Sequence, residues 1–282
     1  MKLVRFGPVG REKPGILDSQ GRIRDLSGVV DDIDGEAVSP KGLAKIRKAN
    51  IDKLPVAKKG VRLGACIGNV SNFIAIGLNY ADHAAEAGLP LPKEPVIFNK
   101  VTTCICGPND DTMIPKDSSK LDWEVELGII IGQRARYLSK KGAMDVVAGY
   151  CVANDVSERV FQIERAGQWV KGKSSETFGP LGPWLVTKDE VKNPQGLNMW
   201  LTVNGETRQK GSTKTMVFGV AHLVWYCSQM FVLNPGDVII TGTPPGVGLG
   251  MKPPQFLKAG DVVRLGLDGL GEQEQKVVKF KA

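Results

Sequence analysis

Histidine is almost missing from this chain: 282 residues contain only His83 and His222. No HExxH pair or histidine cluster occurs, which argues against a zinc hydrolase. The five cysteines (Cys66, Cys104, Cys106, Cys151 and Cys227) are odd in number and form no CxxC pair. They read as reduced core thiols, not as a disulfide or zinc framework. GxxxxGK[ST] is absent, which argues against a phosphate-binding loop of that type. No apolar run approaches the length of a membrane span, and no basic-then-apolar signal opens the chain. The expectation is a soluble, cytoplasmic protein with no membrane partner. Net charge is +7, yet the lysines are scattered and no basic block is interleaved with aromatics. Nucleic acid is therefore not the expected partner. A positive field serves small anionic substrates equally well.

What is present suits a globular chain of one large domain and one small one. Residues 1–66 read as the small domain, of α/β type. Lys2 to Phe6 is a strand, and Pro14–Leu17 and Arg22–Leu26 flank the turn DSQG as a hairpin. Ser39 caps a helix with Pro40 at its first position, running to about Ala49. Lys58-Lys59-Gly60 is a linker. No chemistry is visible there. Residues 67–282 form the large domain. Strands are expected at Phe73–Leu78, Pro95–Lys100, Val238–Thr241, Asp261–Leu267 and Gln275–Phe280. Asn198–Val203 and Glu206–Gln209 join through Asn204-Gly205 as a hairpin. Helices are expected over 141–148, from Ser157, and over 215–231, the last apolar nearly all round with His222 packed in it. The class is α+β, dominated by strands.

The chemistry centres on Leu121 to Gly132, LDWEVELGIIIG. Trp123, Val125 and Leu127 alternate with Asp122, Glu124 and Glu126, the period of a strand. Glu124 and Glu126 then share a face, with Cα atoms roughly 7 Å apart. Two carboxylates on a buried strand repel unless something positive lies between them, and a hard divalent cation fits best. A half-exposed edge strand with solvated glutamates is the alternative. Downstream, the strand YCVAND delivers Asp155 to its end. Three carboxylates suit an all-oxygen Mg²⁺ or Mn²⁺ site with positions left for water and substrate. Arg159 and Gln162 stand three apart on one helix face. Lys173, in the loop WVKGKSSETFGPLGP, can offset the acidic charge or pair with a bound anion; otherwise it is a lysine on a flexible loop. On a short helix within NYADHAAEAG, His83 and Glu86 share a face. A carboxylate beside an imidazole raises its basicity and orients it, so the pair can activate water; a surface histidine is the alternative. Glycines and alanines there suit a segment that could close over a site. The rigid loop TGTPPGVG lets backbone N–H groups and the Thr243 hydroxyl approach a ligand carboxylate.

In this order, NYADHAAEAG, DWEVELGIIIG, NDVSERVFQ, KGKSSETFGPLGP and GDVIITGTPPGVG resemble the fumarylacetoacetate hydrolase family. The resemblance covers roughly residues 70 to 280, and the first 66 residues resemble a small extra domain of bacterial members. It implies a β-rich mixed sandwich or roll, a homodimer, and Mg²⁺ or Mn²⁺. It implies Glu124, Glu126 and Asp155 as metal ligands and Lys173 beside metal and substrate. Arg159, Gln162 and Thr243 match substrate-contacting positions, and His83 with Glu86 matches a water-activating dyad. SSETF departs from the more usual SFDTF after Lys173. The implied activity is hydrolysis of a C–C bond in a β-diketo acid, an acylpyruvate or a diketo-deoxy sugar acid such as 2,4-diketo-3-deoxy-L-fuconate, through a metal-bound enolate. Decarboxylation of oxaloacetate, isomerisation of a 2-oxo acid and a ureidoglycolate lyase-like reaction use nearly the same residues. A non-catalytic oxo-acid sensor is a further class, against which the HxxE dyad argues. Substrate specificity is expected from Ala81–Leu91 and Gly172–Thr177.

Overall fold

A computed structural model describes residues 1–82 and 90–280. Strands dominate. The main sheet has ten, and nine run in the order Ile23–Asp25, Lys13–Leu17, Lys2–Phe6, Gly179–Thr187, Val147–Asn154, Val125–Ile131, Val238–Ile240, Phe73–Gly77, Val96–Lys100. Ile105–Cys106 adds the tenth beside Gly179–Thr187. The sheet is mixed, because Val238–Ile240 runs parallel to Phe73–Gly77 while most other pairs are antiparallel. A second, five-stranded sheet follows the order Glu206–Ser212, Asn198–Val203, Val262–Leu267, Gly271–Val278, Thr112–Met113. Buried side chains of both sheets, such as Leu127, Ile129 and Val152 with Leu201, Leu265 and Val277, belong to one apolar cluster. This is the strand-dominated α+β fold that the sequence indicates. No helix among the described residues is long and apolar enough to cross a membrane.

The N-terminal elements form where local chemistry places them. Ser39 Oγ accepts from Gly42 N–H at 3.1 Å and opens the helix Pro40–Lys48, whose buried Leu43 and Ile46 face the core. Strand Lys2–Phe6 pairs with Lys13–Leu17 on one side and with Gly179–Thr187 on the other, so the N-terminal hairpin continues the main sheet. Asn204 and Gly205, at φ 52° and 80°, make the tight turn of the Asn198–Ser212 hairpin.

Several local expectations fail for tertiary reasons. The acidic strand is broken: Leu121–Asp122 pairs with Ser157–Glu158, Trp123 and Glu124 lie between strands, and Val125–Ile131 enters the main sheet. Every residue of Val125–Ile131 is buried, which removes the edge-strand alternative. The helix expected over 141–148 shrinks to one turn, Ala143–Val146, because Val147 already pairs with Ile131. The helix expected from Ser157 begins later, as a wide turn over Val160–Glu164, because Ser157 and Glu158 are strand. The glycine- and proline-rich loop contains a helical turn, Val170–Lys173, and the nine-residue strand Gly179–Thr187. Helix Val220–Met230 is shorter than 215–231 and one-sided. Val220, Leu223, Val224 and Cys227 are buried, while His222 stacks on Phe218 and Tyr226 at the half-exposed face and Met230 is exposed.

Candidate metal and active site

The site begins where two neighbouring strands end. Val125 lies opposite Asn154 in their antiparallel register. One step further, the Asp155 N–H donates to the Glu124 carbonyl at 2.9 Å, and the Glu124 N–H donates to Asn154 Oδ1 at 3.1 Å. Asn154 in turn donates to Gln275 Oε1 of the second sheet at 3.0 Å. These bonds fix Glu124 beside Asp155, two residues before Glu126 on the same strand path. One oxygen from each of Glu124, Glu126 and Asp155 lies within 4.8 Å of the others, and all three residues are buried.

Three buried cations surround this triad. Lys173 Nζ bridges Glu124 Oε2 at 2.8 Å and Asp155 Oδ2 at 2.6 Å. Lys100 Nζ reaches the other Asp155 oxygen at 2.6 Å. Arg159 donates to Glu124 Oε1 at 2.6 Å, to Asp122 Oδ2 at 2.8 Å and to Gln162 Oε1 at 2.9 Å. Burial alone would raise the Glu124 carboxyl, but Lys173 and Arg159 hold it down to about 2. For Lys173, burial works against the charge, yet Asp155 and Glu124 outweigh it and the ammonium is stabilised. Glu126 differs. Among the described residues it makes no ion pair; it accepts the Gly242 N–H at 2.7 Å. Burial, with the charges of Asp155 and Glu124, pushes its carboxyl well above the usual carboxylate range.

Four buried carboxylates, counting Asp122, thus face three buried cations. Of the four, Glu126 is the one that makes no ion pair among the described residues, and it stands inside an all-oxygen donor set. That is the chemistry a hard divalent cation requires, and the triad fits one. A divalent ion would reverse the local balance to net positive and prepare the site for an anion.

A cavity of about 560 Å³ opens over these groups. Glu124, Glu126, Arg159, Gln162, Lys173 and Thr243 all line it, so six sequence-derived candidates come together. The Thr243 hydroxyl donates to the Val125 carbonyl at 2.9 Å and accepts from Gln209 at 2.8 Å. These two bonds hold the hydroxyl at the cavity wall. His83 and Glu86 lie outside the described residues.

Two members of this cluster carry little signal in the sequence. Lys100 stood out only as the end of a strand, PVIFNK; a lysine closing an apolar strand was the available signal. Asp122 read as one more alternating polar residue. It accepts from Trp123, Gly248 and Leu249 N–H groups and from Arg159, joining the acidic segment to the loop after TGTPPG. The expected specificity segment Gly172–Thr177 contributes only Lys173 to this cavity; Glu176 and Thr177 line a separate one beside Arg5 and Arg62.

The fumarylacetoacetate (FAA) hydrolase C-terminal family profile matches residues 72–278. A Burkholderia cenocepacia protein, named no more specifically than a hydrolase, is 62% identical over 276 residues, 98% of each chain. A probable 2-hydroxyhepta-2,4-diene-1,7-dioate isomerase from Mycobacterium abscessus shares 33% identity at a TM-score of 0.85, covering 100% of both chains. Maleylpyruvate hydrolase from Sphingobium sp. SYK-6, in complex with manganese(II) and pyruvate, shares 27% identity at a TM-score of 0.82, also over 100% of both. The fold and its buried carboxylate site are those of a metal-dependent hydrolase or isomerase. The chain belongs to the fumarylacetoacetate hydrolase family.

Proposed function

We propose that this protein hydrolyses the C–C bond of a β-diketo acid of the acylpyruvate type, with Mg²⁺ or Mn²⁺ held by Glu124, Glu126 and Asp155. The observation that carries this reading is the buried triad, in which Glu126 makes no ion pair among the described residues, opening into the same cavity as Arg159 and Lys173. The manganese and pyruvate bound by a relative of the same fold support it. When bound, the cation supplies Lewis acidity to the 2-oxo acid. The residues supply the rest. Arg159, held in plane by Asp122 and Gln162, presents its guanidinium at the cavity wall to orient the substrate carboxylate. His83, paired with Glu86, takes a proton from water, whose oxygen attacks the distal carbonyl. The C–C bond then breaks, giving a carboxylic acid; Lys173 stabilises the charge left on the pyruvate half, and the proton that His83 took is returned to the carbon released, giving pyruvate. The working form is taken as a cytoplasmic homodimer, without nucleic-acid or membrane partners; sedimentation equilibrium reads the dimer directly.

The direct test is turnover of acetylpyruvate with Mg²⁺ and again with EDTA. Metal-dependent release of pyruvate and acetate is expected, and its absence rejects the hydrolase reading. Replacement His83→Ala should lower kcat by about 10²- to 10⁴-fold, the usual span for a general base, with Mn²⁺ affinity kept; full activity removes the dyad from the mechanism. The isomerase resemblance favours a second reading, movement of a double bond in an unsaturated 2-oxo acid. Such an enzyme needs no water, so it would leave acetylpyruvate intact and act on a dienoic oxo acid.

A further inference from the structure

Val125 stands between the two glutamates of the triad, where the acidic strand is broken. Three consecutive N–H groups at the break are taken by side-chain oxygens. Trp123 donates to Asp122 Oδ1 at 2.8 Å, Glu124 to Asn154 Oδ1 at 3.1 Å and Val125 to Gln209 Oε1 at 3.0 Å. Gln209 is fully buried and comes from the edge strand Glu206–Ser212 of the second sheet, 84 residues further along the chain. Its amide nitrogen donates to Thr243 Oγ1 and to the Pro244 carbonyl, each at 2.8 Å. The Thr243 hydroxyl donates to the Val125 carbonyl at 2.9 Å, which closes a ring running from the Val125 N–H through Gln209 and Thr243 to the Val125 C=O. Both backbone polar groups of one residue are thus gripped by two side chains that are bonded to each other.

We infer that Gln209 is a positioning residue for the metal site: its ring with Thr243 and the Val125 backbone fixes the spacing of Glu124 and Glu126 before a cation arrives. This deepens the proposed function and rests on one part of it, that a divalent cation binds at the triad. No bond of the ring touches a carboxylate, so its effect is geometric. Glu124 and Glu126 flank Val125 in the chain, and turning the peptide units on either side of it moves one carboxylate relative to the other. Buried like charges push apart, whereas a hard cation accepts its oxygens over a narrow range of distances. A site formed in advance of the ion therefore needs a backbone that does not yield. Gln209 has its nitrogen and oxygen both engaged, and rotating Val125 would leave buried polar groups unpaired. The second sheet contributes no carboxylate to the triad, yet through Gln209 it sets the geometry of those that the acidic segment carries.

The test is the Mn²⁺ affinity of the full-length protein, read by calorimetry without substrate. The variants are Gln209→Met, Thr243→Val, Thr243→Ser and the double variant Gln209→Met/Thr243→Val. Gln209→Met should raise the Kd for Mn²⁺ by about 10- to 100-fold, the span for groups that orient metal ligands. Thr243→Val opens the same ring and should raise it similarly, while Thr243→Ser keeps the hydroxyl and should stay near wild type. The double variant should lose little more than either single one, because the ring is already open. Gln195→Met controls for general destabilisation. Gln195 also accepts a backbone N–H, from Val220 at 2.5 Å, and donates to the Thr213 carbonyl at 2.9 Å, with no bond to a site residue among the described residues. It should lower the melting temperature and keep the wild-type Kd. A wild-type Kd in Gln209→Met, losses that add in the double variant, or an equal loss in Gln195→Met overturns the role of Gln209 and leaves the metal site standing. If Gln209→Met does not fold, the Thr243 pair decides: weakened binding with valine and retained binding with serine supports the ring, and any other pattern overturns it. A wild-type protein that binds no Mn²⁺ rejects the metal reading and this inference with it.

Discussion

Asp155 shows how much depends on single charges in a closed space. Both of its oxygens already hold a lysine ammonium, and its side chain is 1% exposed. Removing Lys100 leaves a buried carboxylate with one partner fewer. Lys100→Met should destabilise the metal-free protein by about 2–4 kcal/mol, seen as a fall in denaturation midpoint. Saturating Mn²⁺ should restore more stability to this variant than to wild type, because a positive charge beside the binding oxygens is gone. Equal metal-induced stabilisation of both proteins would show that Lys100 serves the fold and not the site. Glu124→Gln keeps the shape but removes one anionic donor. Mn²⁺ affinity by calorimetry should fall by at least about tenfold, and an unaltered affinity would strike Glu124 from the ligand set.

At the scale of elements, the site depends on short pieces held against each other. The helical turn Val170–Lys173 lifts Lys173 between two carboxylates, and it packs directly on the segment after Asp155. Gly172 permits this approach. A Cβ there would overlap the Glu158 carbonyl oxygen and crowd Gln162. Gly172→Ala should therefore cost about 1–3 kcal/mol of stability by overpacking and lower kcat, since Lys173 moves with its turn. Wild-type kinetics together with an unchanged melting temperature would show that the turn relaxes freely.

For the whole molecule, charge ties the N-terminal residues to the rest. Arg62 donates to Glu12 at 2.9 Å, to Asp110 at 2.7 Å through Nε, and to the Gly7 carbonyl at 3.1 Å. Burial would raise the Glu12 carboxyl, but the Arg62 hydrogen bond and the nearby Arg5 lower it below its unfolded value of 4.5. A carboxyl lowered by folding stabilises the protein above the unfolded pKa, and that contribution fades as pH drops from about 4.5 through the folded pKa. Arg62→Ala should cost about 2–3 kcal/mol at neutral pH. The gap between wild type and variant should narrow below about pH 4.5. Urea denaturation at pH 7 and pH 4 measures it, and a gap that stays constant would show that Glu12 is not the titrating group.

By itself the sequence determined what depends on near neighbours. Ser39-Pro40 opened a helix, Asn204-Gly205 turned a hairpin, and alternating polarity placed carboxylates at 122, 124 and 126, because these signals act over a few residues of backbone. The ordered motifs also carried the family and the acidic triad. Tertiary structure alone decided the rest. Lys173 meets Glu124 across 49 residues and Lys100 meets Asp155 across 55. No local period encodes such pairs, since only the closed sheet makes both charges buried and near. Burial on both faces of Val125–Ile131 and the strand hidden in a glycine-proline run share that origin. Each is fixed by a partner distant in sequence, and its energy comes from excluding water between the two.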